Sequence, residues 1–135
     1  QELCAGKPQS NGWGDIKVFE FIGNMNLAYA CADVVISRAG ALSITELCTA
    51  GKPSVLVPSP NVSEDHQTKN AMALVRKDAA LIVADKDAKE KLVDTAIALL
   101  ADNDRQTQIS NNISAMALPN AATTIAKEII DYLKK

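Results

Sequence analysis

Aromatic residues, cysteine, histidine and excess charge are all scarce in this sequence. Aromatics make up 4% of its 135 residues, and the formal net charge is −2. No apolar run approaches the roughly 20 residues that a helix needs to cross a bilayer, and no basic excess offers a surface for a phosphate polymer. We therefore expect a soluble chain and exclude nucleic acid as a partner.

Residues with metal-binding or nucleophilic chemistry are also few. The three cysteines form no Cys-x-x-Cys pair, and an odd number cannot complete an internal disulfide set, which favours a reducing cytoplasm. His66 is the only histidine and has no partner ligands at metal spacing. We expect neither a metal nor a cofactor, and for His66 we rank a surface or supporting role above that of a general base.

The pattern that is present is an alternation of apolar strands with helices. Strands are predicted at residues 16–22, 33–37, 54–58 and 80–84. Helices are predicted at residues 24–32, 43–50, 66–77, 87–102, 105–117 and 121–133, with Leu92, Ala96, Leu99 and Leu100 inward on the fourth. Nearly continuous apolar strands joined by helices indicate an α/β fold with a doubly wound, Rossmann-like parallel sheet.

The turn after the second predicted strand has two interpretations. Gly40 allows a close backbone approach, and Ser43 precedes Glu46 by three residues, which is the spacing of a capping box. On the local pattern alone we favour a capped helix that binds nothing. The alternative is a cradle for a nucleoside diphosphate, with phosphate at the helix N-terminus and Glu46 accepting hydrogen bonds from a ribose.

The loop after the third predicted strand opens on the same edge of the sheet. Gln67 and Asn70 are three residues apart on one helix face, where their amides suit sugar hydroxyls. The alternative is a simple helix start, with Glu64 and Asp65 complementing the dipole. Arg38 either meets a phosphate or braces its loop, and the sequence favours neither.

Residues from about Phe19 to the C-terminus resemble a known family. The stretch "FEFIGNMNLAYACADVVISRAGALSITELCTAGKPSVLVPSPNVSEDHQTKNAMAL" is similar to the C-terminal domain of the MurG family, bacterial transferases that add N-acetylglucosamine to lipid I. The ordered motifs include Ala-Tyr-Ala-x-Ala-Asp and Arg-x-Gly-Ala-Leu-x-x-x-Glu. The resemblance implies a GT-B glycosyltransferase, in which two Rossmann-like domains face each other across a cleft.

The resemblance also implies a binding site for UDP-N-acetylglucosamine. Its residues would be Ile22, Ala41, Leu42, Ser43, Glu46, Gln67 and Asn70. Ile22 would contact the uracil, residues 41–43 would lie near the diphosphate, and Glu46 would hold the ribose. Gln67, with Asn70 nearby, would engage the sugar hydroxyls, although His66 is an alternative match for Gln67.

Two departures from the family limit what the chain is expected to do. Ser43 stands where threonine is common, and the family's glycine-rich loop and N-terminal domain are missing. Because the chain starts without methionine, we expect residues 1–135 to be a truncated C-terminal UDP-sugar-binding domain of a longer protein. Lipid I, the catalytic base and contact with the cytoplasmic face of the inner membrane would belong to the absent acceptor domain. We expect the fragment alone to bind donor without catalysing transfer.

Other functions remain open at this stage. A free-standing donor-binding subunit of another UDP-N-acetylglucosamine transferase would share these residues. A non-catalytic nucleotide-binding or interaction module would fit the capping-box interpretation. An epimerase of UDP-N-acetylglucosamine shares the architecture but needs acid and base carboxylates that the sequence does not place.

Overall fold

Helices and strands alternate along the chain in the computed structural model, which describes residues 16–60 and 65–134. The glycines and the proline of residues 1–15 predict the end of a helix followed by a loop, and these residues lie outside the described ones. The helices are α1 (Met25–Cys31), α2 (Ala41–Ala50), α3 (His66–Val75), α4 (Ala88–Ala101), α5 (Asn103–Ser114) and α6 (Ala121–Leu133). The strands are β1 (Val35–Ser37), β2 (Ser54–Leu56) and β3 (Leu81–Ile82), and a 3-10 turn, Asp85–Asp87, precedes α4.

The three strands form one parallel sheet in the order β1-β2-β3. Ser37 pairs with Leu56, and Leu56 pairs with Ile82, so the three strands end level. All three residues of β2 are buried, as expected for the central strand of a sheet covered on both faces. The parallel α/β fold predicted from the alternating pattern is confirmed.

The core lies on both faces of this sheet. Leu56 belongs to a cluster with Leu47 of α2 and Leu74 of α3, whereas its neighbour Val55 packs with Leu99 of α4. Successive side chains of a strand point to opposite faces, which explains the division. Helices α2 and α3 therefore cover one face and α4 covers the other.

The first predicted strand, residues 16–22, is wrong. These residues form no strand, and Val18 and Phe21 are 73% and 84% exposed. A β-branched and aromatic composition favours a strand only where a neighbour supplies backbone partners and a surface to cover. Within the described residues, β1 pairs with β2 alone, so residues 16–22 do not join the open edge of β1 and gain no backbone partners there.

Leu100 is a second correction, because it is 51% exposed although it was predicted to point inward. Leu92 and Ala96 are partly buried and pack with buried Leu99. At about 100° per residue, Leu92, Ala96 and Leu99 lie within about 60° around the helix axis. Leu100 is turned about 100° from Leu99 and lies beyond the edge of this stripe. The stripe of α4 that contacts the sheet is narrower than the apolar pattern indicated.

Helix α6 has the predicted bounds and leaves its apolar side exposed. It has no buried residue in the described structure, and Ile125, Ile129 and Leu133 are 60%, 55% and 77% exposed. The four-residue repeat of these side chains therefore identified the helix without identifying anything that it packs against.

Helix α2 ends where the sequence predicted, at Gly51. Gly51 has φ +63°, and its N–H donates to the Cys48 carbonyl while the Lys52 N–H donates to the Leu47 carbonyl. These two bonds form a Schellman motif, which needs a residue in the left-handed conformation. A Cβ at Gly51 would also collide with the Ser114 hydroxyl of α5.

We predict that Gly51→Ala lowers the free energy of unfolding by about 1–3 kcal/mol, because an alanine there adopts the left-handed region and meets Ser114. Urea denaturation measures this loss. Gly23→Ala is the matched control, since a Cβ at Gly23 meets nothing within 4 Å. Adding Ser114→Ala should recover the steric part of the loss. Equal stability of Gly51→Ala and Gly23→Ala would contradict the assignment.

Candidate functional site

The candidate site lies at the carboxyl ends of the three strands, where the turn from β1 to α2, the loop after β2 and the 3-10 turn after β3 meet. Parallel strands end at the same edge of a sheet, and open α/β sheets bind ligands outside that edge. We call this edge the carboxyl rim and define it by residues 38–41, 57–60 and 85–87.

Arg38 joins the three parts of the carboxyl rim. Its Nη1 donates to the carbonyl oxygens of Val57 at 3.3 Å and Pro58 at 3.5 Å, and it forms a salt bridge with Asp85. Of the two roles left open for Arg38, the geometry supports the brace. Asp85 was not singled out from the sequence, although its position just after the third predicted strand places it on the rim.

The predicted capping box at the start of α2 is wrong. The N-cap is Gly40, with φ −67° and ψ 149°, and no side chain in the described part of the chain caps this end. Ser43 lies inside the first turn, because the helix begins at Ala41 and the Ile44 N–H already donates to the Gly40 carbonyl. A capping serine must itself occupy the extended N-cap position, which Gly40 takes here. The N–H groups of residues 41–43 therefore have no acceptor within the helix.

Glu46 lies one turn further along α2, on its exposed side. Its Oε2 accepts a hydrogen bond from the Tyr29 hydroxyl of α1 at 2.9 Å. Burial, this hydrogen bond and the carboxylate charge together raise the pKa of Tyr29 to about 12. Glu46 is therefore held by the neighbouring helix and not by its own helix backbone.

An open cavity of about 590 Å³ lies between α1 and α2, beside this pair. Its wall includes Met25, Tyr29, Thr45, Glu46 and Lys52. The Lys52 ammonium donates to the Ala32 carbonyl at 2.9 Å. The volume is within the range of small-molecule sites, and its wall combines apolar side chains with a few polar groups.

The two predicted amides of α3 hold the loops of the carboxyl rim. Gln67 Oε1 accepts a hydrogen bond from the Ser59 N–H at 2.9 Å, and Asn70 Nδ2 donates to the Ala39 carbonyl at 3.2 Å. Each amide thus uses one end on the backbone of a neighbouring loop. Asn70 also ties α3 directly to the turn that starts α2.

The structure brings six of the seven predicted site residues to two adjoining helix starts. Ala41, Leu42, Ser43 and Glu46 lie on the first two turns of α2, and Gln67 and Asn70 on the first turns of α3. Leu42 is 81% exposed beside the rim. Ile22 stands apart from them, partly buried in the irregular segment that enters α1. This segment leads into α1, which packs against α2.

Tyr29 is the residue of this site that sequence reasoning missed. It belongs to the Ala-Tyr-Ala-x-Ala-Asp motif but stands 17 residues from Glu46, on a different helix. A hydrogen bond across two helices leaves no periodic trace in a sequence. The motif itself was the available signal.

The described residues offer no metal site of three or more histidine, cysteine or carboxylate ligands. Among the helices of residues 16–60 and 65–134, none has the length and apolar character to span a bilayer. The groups that this site offers to a ligand include the backbone N–H groups at the start of α2, the Glu46 carboxylate, the amides of Gln67 and Asn70 and the cavity wall.

The sequence profile of the glycosyltransferase family 28 C-terminal domain matches residues 4–129. The chain is 56% identical over 116 residues to the UDP-N-acetylglucosamine–N-acetylmuramyl-(pentapeptide) pyrophosphoryl-undecaprenol N-acetylglucosamine transferase of Parabacteroides distasonis. It is 53% identical over 118 residues to the protein of the same name from Cytophaga hutchinsonii. These matches cover 86% and 87% of the chain, which spans 32% of the length of each relative.

A solved structure gives the same relationship at the level of the fold. The crystal structure of Acinetobacter baumannii MurG matches with a TM-score of 0.77 and 35% sequence identity. The match covers 85% of this chain and 33% of that one.

The start of α2 leads to a stability prediction. Because Ser43 caps nothing, we expect Ser43→Ala to change the free energy of unfolding by less than about 0.5 kcal/mol, whereas loss of a real cap costs ~1 kcal/mol. Asp102→Ala supplies the comparison, since the Asp102 side chain accepts a hydrogen bond from the Arg105 N–H at the start of α5. Chemical denaturation measures both variants, and a loss at Ser43 equal to that at Asp102 would restore the capping box.

Proposed function

The chain belongs to the family defined by the glycosyltransferase family 28 C-terminal domain, and from this premise we propose that it is the donor-binding part of a hexosyltransferase. The parent enzyme moves N-acetylglucosamine from UDP-N-acetylglucosamine to lipid I, giving lipid II in peptidoglycan synthesis. The observation that carries the proposal is the uncapped start of α2, with Glu46 one turn behind it on the exposed side.

The diphosphate of the donor binds at the start of α2. Residues 41–43 present backbone N–H groups that no acceptor within the helix occupies, and the helix dipole makes this end attractive to anions. Gly40 has no side chain to crowd the approach. The Glu46 carboxylate accepts hydrogen bonds from the two ribose hydroxyls, while Ile22 contacts the uracil.

The sugar of the donor binds on the α3 side. Gln67 Oε1 is taken by the Ser59 N–H, so the other end of this amide supplies donors for the N-acetylglucosamine hydroxyls. Asn70 donates to the Ala39 carbonyl, which leaves its oxygen as an acceptor on the same helix face. Each amide then bonds the loop backbone with one end and the sugar with the other.

The transfer reaction needs two kinds of assistance, of which this chain supplies one. Departing UDP carries negative charge, and the N–H groups of residues 41–43 stabilise it. A base must also take the proton of the acceptor hydroxyl, and none of the residues assigned to the donor acts as one. We assign the base, the lipid I site and membrane contact to an acceptor domain of the parent enzyme. That enzyme works at the cytoplasmic face of the bacterial inner membrane.

Calorimetric titration tests donor binding. We expect the chain to bind UDP-N-acetylglucosamine and UDP in preference to ADP, and Glu46→Ala to weaken both uridine ligands about tenfold, because charged hydrogen bonds to the ribose are lost. Glu128→Ala, which removes an exposed carboxylate from α6, is the matched control and should bind like the wild type. Circular dichroism verifies that each variant is folded.

Two results would count against this function. A folded wild type that ignores UDP would mean that the start of α2 is not a nucleotide site in this chain. Equal affinity for UDP and ADP would leave a nucleotide-binding module without a glycosyl donor. Sustained sugar transfer by the chain alone, in a radiolabel assay with lipid I, would instead overturn the assignment of the base to another domain.

A further inference from the structure

We propose that Tyr29 is a positioning residue for ribose recognition: its hydroxyl holds Glu46 Oε2 so that Oε1 faces the two ribose hydroxyls. This inference rests on the proposed function, because it assumes that the ligand of the site is a ribonucleoside diphosphate. It adds a residue from α1 to a site otherwise formed by the starts of α2 and α3.

The geometry links a well-anchored donor to a flexible acceptor. The Tyr29 ring packs against the core cluster that contains Leu47 and Cys48, and α1 packs along α2. Glu46 is exposed on α2, and its carboxylate meets the Tyr29 hydroxyl at 2.9 Å. A packed aromatic ring has little rotational freedom, whereas an exposed glutamate has a great deal. The hydrogen bond therefore fixes the glutamate more than it fixes the tyrosine.

The Glu46 carboxylate has enough acceptor sites to bond Tyr29 and a ribose at the same time. An ionised glutamate accepts through two oxygens with about four lone-pair sites. Tyr29 occupies Oε2, and Oε1 can accept from a vicinal diol. The pKa of Tyr29, raised to about 12, keeps the hydroxyl protonated and able to donate throughout the neutral range. The hydrogen bond from Tyr29 to Glu46 is therefore formed before the ligand binds.

If Tyr29 orients Glu46 before binding, the affinity should rise only for ligands that carry both ribose hydroxyls. A carboxylate already oriented loses less conformational freedom on binding, and this saving applies only to ligands that use the carboxylate. The nearby cavity wall, by contrast, would contact the base or ribose ring of any uridine nucleotide. A ligand that lacks both ribose hydroxyls therefore distinguishes two effects of Tyr29: the hydrogen bond to Glu46 and the packing of its ring against the ligand.

Tyr29→Phe removes the hydroxyl and keeps the ring. We expect its affinity for UDP to fall roughly three- to tenfold, the loss typical of one hydrogen bond, while affinity for 2′,3′-dideoxy-UDP stays as in the wild type. In a Glu46→Ala background, Tyr29→Phe should cause no further loss. Tyr132→Phe is the matched control, because Tyr132 is the other tyrosine and is 78% exposed on α6. Calorimetry measures the wild type and these four variants, the double variant included, with both nucleotides.

Three outcomes overturn the inference. Unchanged UDP affinity in Tyr29→Phe shows that the hydroxyl does not position Glu46, and an equal loss for UDP and the dideoxy ligand shows a merely structural role. An additive loss in the Glu46→Ala background shows that Tyr29 acts through another group. A wild type that binds no UDP refutes the proposed function before Tyr29 is compared.

Discussion

The level, parallel ends of β1, β2 and β3 are the constraint on which the candidate site depends. Parallel pairing sends all three chains out of the sheet at one edge, so segments far apart in sequence meet there. Arg38 holds these segments together, because it donates a hydrogen bond to the loop after β2 and forms a salt bridge with Asp85 after β3. The start of α2 is thereby held against a braced rim.

Features encoded by neighbouring residues could be predicted, and features that depend on distant partners could not. The end of α2 at Gly51 follows from a local need for positive φ, and the three paired strands follow from short apolar runs. Residues 16–22 have the same composition without a pairing partner among the described strands, so composition misled there. The Ser43 pattern misled because Gly40 already provides the extended residue that a helix start requires.

The same distinction applies to the site. Residues 41–43 and Glu46 are close because they share a helix start, which helical spacing predicts directly. That Gln67 and Asn70 face the same rim follows from parallel topology, yet their bonds to the Ser59 N–H and the Ala39 carbonyl required tertiary placement. Tyr29 reaches Glu46 across two helices, a relation that only the packed structure reveals.

Three polar side chains of the site each make an internal hydrogen bond with only one of their two polar ends. Gln67 and Asn70 bond loop backbone with one end of the amide, and Glu46 bonds Tyr29 with one oxygen. A side chain tied at one end has already lost most of its rotational freedom, so using its other end costs less ordering on binding. In the proposed donor site, these internal bonds leave the other end of each side chain to the donor. The arrangement without a ligand would then already resemble the one that the donor requires, which lowers the ordering cost of binding.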